Sequence, residues 1–361
     1  MKVLLPLLPL FLLAGCATKP LAPVHPPAAS TAPVTVAEAY VTAEQAGDEL
    51  DSLATWPAED GATWVVATAK TSHRLVVFDA DTGEMLRTVG ERGSAPGQFI
   101  RPNGIAIHGD LVFVSERDGR RVQVLRLPAF SPVATFGEDA LRSPYGIWVH
   151  EPVPGELAAY VTDSFMEGQR FDRVPALALL DQRVRRYRLR FDDDGQLQVD
   201  PAGSFGETSQ ENALRMVESI AGDPAYDRLM IADEDARHAP TVHAYTLDGR
   251  HTGQKLPAGT FDAEPEGIAL WACDAEVGYW VVSDQLRPRT VFRLFDRHTL
   301  APNGSFTGSV TAWTDGIALH AAGTPRFPHG VLFAMHDDSA LAAFDLRDVA
   351  EALQLDPACT G

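Results

Sequence analysis

Six copies of one short phrase, two alternating apolar runs after each copy, and turn residues between the runs predict an all-β chain folded as a six-bladed β-propeller. The phrase is a polar residue, a small residue, then alternating apolar positions. It reads Asp51-Ser52-Leu53-Ala54, Asn103-Gly104-Ile105-Ala106, Tyr145-Gly146-Ile147-Trp148, Glu218-Ser219-Ile220-Ala221, Glu266-Gly267-Ile268-Ala269 and Asp315-Gly316-Ile317-Ala318. An irregular sandwich also has many short strands, but has no reason to repeat one phrase six times.

The chain opens with Met1-Lys2 and an apolar run from Val3 to Leu13, broken by Pro6 and Pro9. A spanning helix needs about 20 apolar residues, so residues 1–15 read as a signal peptide. Leu13-Ala14-Gly15-Cys16 is similar to a bacterial lipoprotein cleavage box, which makes Cys16 the lipidated first residue of the mature chain. The expected address is the bacterial cell envelope, with a lipid anchor as the membrane partner. Residues 16–36, rich in Pro, Ala and Thr, read as a disordered tether. Residues 37–361 form the propeller. Within the segment Val34 to Val41 lies the natural strand to pair with the last blade, close the ring and cover a free sheet edge.

In each blade the phrase supplies the first strand. Second runs follow at Trp64 to Lys70, Leu111 to Arg117, Ala158 to Ser164, Leu229 to Asp235, Tyr279 to Gln285 and Val331 to Asp338. Third runs alternate in the same way, and Asp81-Thr82-Gly83, Asp194-Gly195 and Asp248-Gly249 close several of them into hairpins. The longest interval, Tyr145 to Glu218, holds an insertion near Met166 to Asp181. Arg186, Arg188 and Arg190 alternate with Tyr187 and Leu189 and read as a solvent face. Besides Cys16, only Cys273 and Cys359 occur; spacing leaves a disulfide and two free thiols equally open.

The formal charge is −19, or −20 once Lys2 leaves with the signal peptide. Nucleic acid requires a basic face and is excluded as a partner. First strands line a propeller's channel, so Asp51, Asn103, Tyr145, Glu218, Glu266 and Asp315 should form a ring. Four carboxylates on one axis repel unless compensated, and carboxylates with an amide oxygen are the hard ligands calcium takes. The ends of the second strands add a second rim: Lys70, Glu116, Arg117, Asp163, Asp233, Glu234, Asp235, Asp284, Gln285, Asp337 and Asp338. Its acids are expected as further oxygen ligands. Its cations suit a substrate carrying phosphate.

These residues resemble the β-propeller phytases, calcium-dependent phosphatases that hydrolyse inositol hexakisphosphate. Glu218-Ser219-Ile220-Ala221 through Ile231-Ala232-Asp233-Glu234-Asp235 looks like the family's "EGM…IAEED" stretch. Glu264-Pro265-Glu266-Gly267 looks like "DxEG", Ser283-Asp284-Gln285 like "SSQ", Thr314-Asp315-Gly316-Ile317 like "TDGI", and His336-Asp337 like "QD". Asp51 fits the early "DDPAIW". The resemblance implies Ca2+ held by Asp51, Glu218, Glu264, Glu266, Gln285, Asp315 and Asp337. It also implies an active-site carboxylate at Glu234, and Lys70, Arg117 and Tyr145 on the phosphates of a small-molecule substrate bound to a monomer. Ser164 stands where the family has a lysine, and Ala318 where it has an Asp. Gly93 to Ile105 also resembles NHL repeats, which are often purely binding modules. The alternatives are therefore a non-catalytic, calcium-stabilised propeller, or a metal-dependent lactonase, for which Asn103 is the suitable amide.

Overall fold

The computed structural model describes residues 32–360. The signal peptide, Cys16 and most of the tether lie outside the described residues. Six sheets are arranged in a ring, and the protein is a six-bladed β-propeller. The innermost strands are Leu50–Pro57, Pro102–His108, Pro144–Val153, Val217–Asp223, Pro265–Ala272 and Ile317–His320, and each contacts the next around the full circle. Five begin within or just before the repeated phrase; Asp315 and Gly316 precede the sixth.

The small residue of the phrase has a steric cause. A Cβ on Gly104 would collide with the carbonyl oxygen of Tyr145, and one on Gly146 with that of Glu218. Thr162 Oγ1 joins the same two strands, accepting from Gly146 N at 2.8 Å and donating to Glu218 O at 2.7 Å. Neighbouring blades thus approach backbone to backbone at the channel, and the phrase recurs because this contact recurs.

Apolar packing lies between blades rather than at one centre. Each of the six interfaces has its own buried cluster, such as Val65, Phe78, Phe333 and Met335 between blades 6 and 1. This follows from period-two patterning on sheets packed face to face.

The ring-closing segment differs from the expectation in one respect: it is shared between two blades. Tyr40–Val41 pairs antiparallel with the last strand, Ala340–Asp345, while Val34–Thr35 pairs parallel with Pro302–Thr307 in blade 5. Val36 is buried in the cluster between blades 5 and 6. A tether reaching residue 36 is therefore corrected: residues 34–36 belong to the folded domain. Between these short strands the Glu38 carboxylate accepts from the backbone amides of Ser309, Val310 and Thr311 at 3.0, 3.0 and 2.8 Å. Those bonds hold its pKa below the usual carboxylate value against the opposing effect of burial.

The Arg-rich strand Val184–Phe191 alternates as expected, with Tyr187 and Leu189 buried and Arg188 and Arg190 exposed. Two features complete the C-terminal end: a helix that was not foreseen, and the disulfide that cysteine spacing had left open. A helix, Leu346–Leu353, is N-capped by Asp345 and packs Leu346, Val349 and Ala350 against blades 5 and 6. Cys273 and Cys359 are joined in a disulfide that ties the C-terminal segment to blade 5.

Candidate functional site

All six phrase-leading residues face the same mouth of the channel, and charge from Glu218, Asp51, Glu266 and Asp315 acts together on the Tyr145 hydroxyl. Within this ring the carboxylates divide into two groups with opposite electrostatics.

The first group lies at blades 6, 1 and 2. Lys70 directly follows the second strand of blade 1 and reaches the leading carboxylates of blades 1 and 6. Its Nζ stands 3.0 Å from Asp51 Oδ2 and 2.9 Å from Asp315 Oδ2. The remaining oxygens also have donors. Asp51 accepts from Ser52 Oγ at 2.9 Å and from Asn103 Nδ2 at 3.1 Å, and Asp315 Oδ1 accepts from the Gln285 amide. Lys70 is only 8% exposed, yet the two carboxylates hold its pKa above the usual lysine value despite burial. Asp315 is still pushed up to about 7, by burial first and then by Asp51.

The second group lies at blades 4 and 5. Glu218 and Glu266 lead their inner strands, and Glu234 follows the second strand of blade 4. One carboxylate oxygen from each lies within 4.8 Å of the others. Among the described residues no basic side chain forms an ion pair with this trio, although the charge of Lys70 reaches Glu218. Glu234 is 3% exposed and its Oε1 has no hydrogen-bond partner. Burial, then the like charges of Glu218, Glu266 and Glu264, push its pKa well above the usual range. Glu218 is pushed up to about 8 by burial and Asp51, with the Tyr145 hydroxyl acting in the other direction. Glu266 is raised by burial, then by the charges of Glu218 and Asp315, and Glu264, half-buried beside them, by burial alone.

An unpaired buried acceptor is costly, and three carboxylates at this spacing cannot all ionise without a compensating charge. Hard, negatively charged oxygen donors grouped this closely suit a divalent cation. Glu218, Glu234 and Glu266 are placed to hold such an ion.

Several expected ligands are directed elsewhere. Asp163 accepts from the amide of Ser143 at 2.7 Å, Asp233 from Arg215 and Met216 at 3.0 and 2.9 Å, and Asp284 from Asp262 and Ala263 at 3.0 and 2.9 Å. Each ties down the loop entering its own blade's inner strand. Glu116 does the same for Ile100 at 2.7 Å, and Asp235 is engaged by Arg237 and His238. The expectation that these rim acids supply further metal oxygens is therefore corrected: short polar side chains satisfy nearby backbone amides first. Asp337 pairs with Arg287 Nη1 at 2.6 Å, and Gln285 is committed to Asp315. Lys70, expected on the substrate, is held between Asp51 and Asp315.

Beside Glu218 opens a cavity of about 960 Å³. Its wall includes Tyr145, Ser164, Arg117, Arg120, Arg142 and Arg237. Arg117 and Arg237 are partnered by Asp118 and Asp235. Arg120 and Arg142 have no carboxylate within 4.0 Å among the described residues. Arg142 stacks over Phe165, 3.1 Å from the ring centroid. Sequence reasoning missed both, since Arg120 sits in a hairpin and Arg142 in a blade connection, outside the repeating positions. Phe165 and Met166 begin the blade 3 insertion, whose exposed Phe171 forms another part of the wall.

No family model and no curated protein matches this chain. Among solved structures it is similar to Kuenenia stuttgartiensis hydrazine synthase, at 11% identity and a TM-score of 0.47, covering 81% of this chain and 75% of that one.

Proposed function

We propose that this chain is a calcium-dependent phosphomonoester hydrolase acting on phytate or a related phosphorylated small molecule. One observation carries the reading. Glu218 belongs both to the trio of uncompensated carboxylates and to the wall of a cavity bearing two unpaired arginines. A site with net negative charge at its floor and positive charge at its wall suits a cation and an anion bound side by side. When bound, a divalent cation polarises phosphoryl oxygens and offsets their charge.

The chain's own residues supply the rest. Arg120 and Arg142, without a carboxylate partner among the described residues, present guanidinium groups to hold phosphate oxygens. Tyr145 lines the cavity beside Glu218 and hydrogen-bonds to its carboxylate. Glu234, buried and with one oxygen lacking a donor, is suited to orient a water and accept its proton. Burial of the site strengthens each of these interactions relative to water.

The decisive experiment measures phosphate release from phytate and simpler phosphomonoesters, with calcium and with a calcium chelator. Release with calcium and its loss on chelation are expected; no release from any of these with calcium present overturns the reading. Lipidation at Cys16 and residence in the cell envelope belong to the same proposal. Metabolic labelling with a fatty acid should mark the wild-type chain and not Cys16→Ser.

One observation favours a second reading, a calcium-stabilised propeller without catalysis. Lys70, which the phytase resemblance puts on the substrate, is bound by two carboxylates. On that reading calcium raises the melting temperature and no substrate turns over.

A further inference from the structure

Asp51 and Asp315 occupy equivalent positions in adjacent blades, as Glu218 and Glu266 do in two others. Four carboxylates at equivalent positions of a ring would be expected to share one cation chemistry. Instead the ammonium group of Lys70 stands between the first two, within 3.0 Å of each, and is 8% exposed. Asn103, fully buried beside Asp51, donates its amide hydrogen to that carboxylate and leaves its own Oδ1 without a partner. Asp338, half-buried nearby, likewise leaves Oδ1 unpartnered, and Asp51 and Lys70 both act on its charge. The surroundings of the Lys70 ammonium are thus two carboxylates with further uncommitted oxygens close by. That is a cation site by its donor set, filled by a side chain of the protein.

We infer that Lys70 is a tethered counter-ion that occupies a second cation site formed by Asp51, Asp315 and Asn103, and that it confines divalent metal to the Glu218, Glu234 and Glu266 side of the channel mouth. A cation delivered by the chain itself has an effective concentration that free calcium must exceed. Removing the ammonium while leaving its carboxylates creates an uncompensated buried pair, which favours any ion able to replace it. The inference rests on the proposed metal centre, but on its ion binding and not on hydrolysis.

The test counts bound calcium per chain, by equilibrium dialysis or calorimetry on the full mature protein, for wild type, Lys70→Met, the double variant Lys70→Met/Asp315→Asn, and Glu218→Gln. Lys70→Met should bind one more calcium ion than wild type. It should melt roughly 5–10 °C lower in chelator, and millimolar calcium should restore most of that loss. The double variant, with one carboxylate fewer, should lose the extra ion and melt closer to wild type in chelator. Should Lys70→Met not fold, the wild-type count decides. Asp51→Asn and Asp315→Asn leave it unchanged if Lys70 holds the site, and lower it if metal displaces Lys70, which overturns the inference. An equal count for Lys70→Met and wild type also overturns it. Failure of the underlying metal centre would appear separately, as a wild-type protein that binds no calcium or a Glu218→Gln variant that binds as much as wild type.

Discussion

The two sides of the channel mouth use the same repeat position and the same fold, yet one is electrically closed and the other open. At blades 6 and 1, Asp51 and Asp315 share the single ammonium of Lys70, and each of their oxygens has a donor. At blades 4 and 5, Glu218 and Glu266 meet Glu234 instead of a lysine, and one oxygen of Glu234 has no partner at all. The residue that follows the second strand therefore decides the chemistry: Lys70 in blade 1, Glu234 in blade 4. The phrase-leading residue brings a carboxylate to the axis, and its neighbour one strand outward sets whether that charge is available to an external ion.

The contrast is most sharply broken at Glu234. Glu234→Gln keeps the shape of the open side but removes its charge, and phosphate release should fall by roughly 10²–10⁴-fold, measured alongside circular dichroism to confirm an unchanged fold. A smaller change would place the essential chemistry elsewhere.

Next in size is the pH dependence of the calcium-free protein. Carboxylates whose pKa is raised on folding bind extra protons in the native state. The stability they contribute is complete below their ordinary value of 4.5 and is lost as pH climbs through about 8, where Glu218 titrates. In chelator the melting temperature should therefore drop by roughly 5–10 °C between pH 5 and pH 8, and calcium should abolish most of the drop. Glu218→Gln should melt higher than wild type at pH 8 in chelator, a stabilised variant with impaired activity. A flat profile would mean that the open side is compensated after all.

The closed side should respond in the opposite sense. Asp315→Asn leaves Lys70 with one carboxylate and should lower stability by about 1–3 kcal/mol, with no recovery on adding calcium, as followed by thermal denaturation. Least in size, Arg142→Ala should raise KM for a phosphorylated substrate about tenfold, the loss of one charge-assisted contact, while leaving calcium affinity unchanged. If calcium affinity shifted as well, Arg142 would act on the carboxylate floor and not only on the phosphate.

The blades were legible because their cause is local and repeated. A small residue must follow each channel-facing side chain wherever the next blade's carbonyl sits against it, as at Gly104 and Gly146, and alternation marks the faces packed between blades. The ring was legible for the same reason. What the ring does with its charge was not, because Lys70 meets Asp315 across 245 residues of chain, a contact no spacing announces. Adjacent acids were equally opaque. Asp233 and Glu234 are neighbours in sequence, but alternation turns the first toward the amides of Arg215 and Met216 and the second toward the axis. The unpaired Arg120 and Arg142 come from connections that obey no repeat, so their convergence on one cavity exists only in the folded molecule.

The shared strap of residues 34–42 has a consequence for how the protein is made. Thr42 bonds to Leu341, 299 residues later, so the earliest part of the domain to be synthesised finds its partner only when almost the last has arrived. Contacts of such separation are formed late, after the entropy of the intervening loop has been reduced by other folding. Individual blades can pair their own strands as they emerge, but the circle stays open until synthesis is nearly complete, so the strap locks the ring as one of the last events of folding.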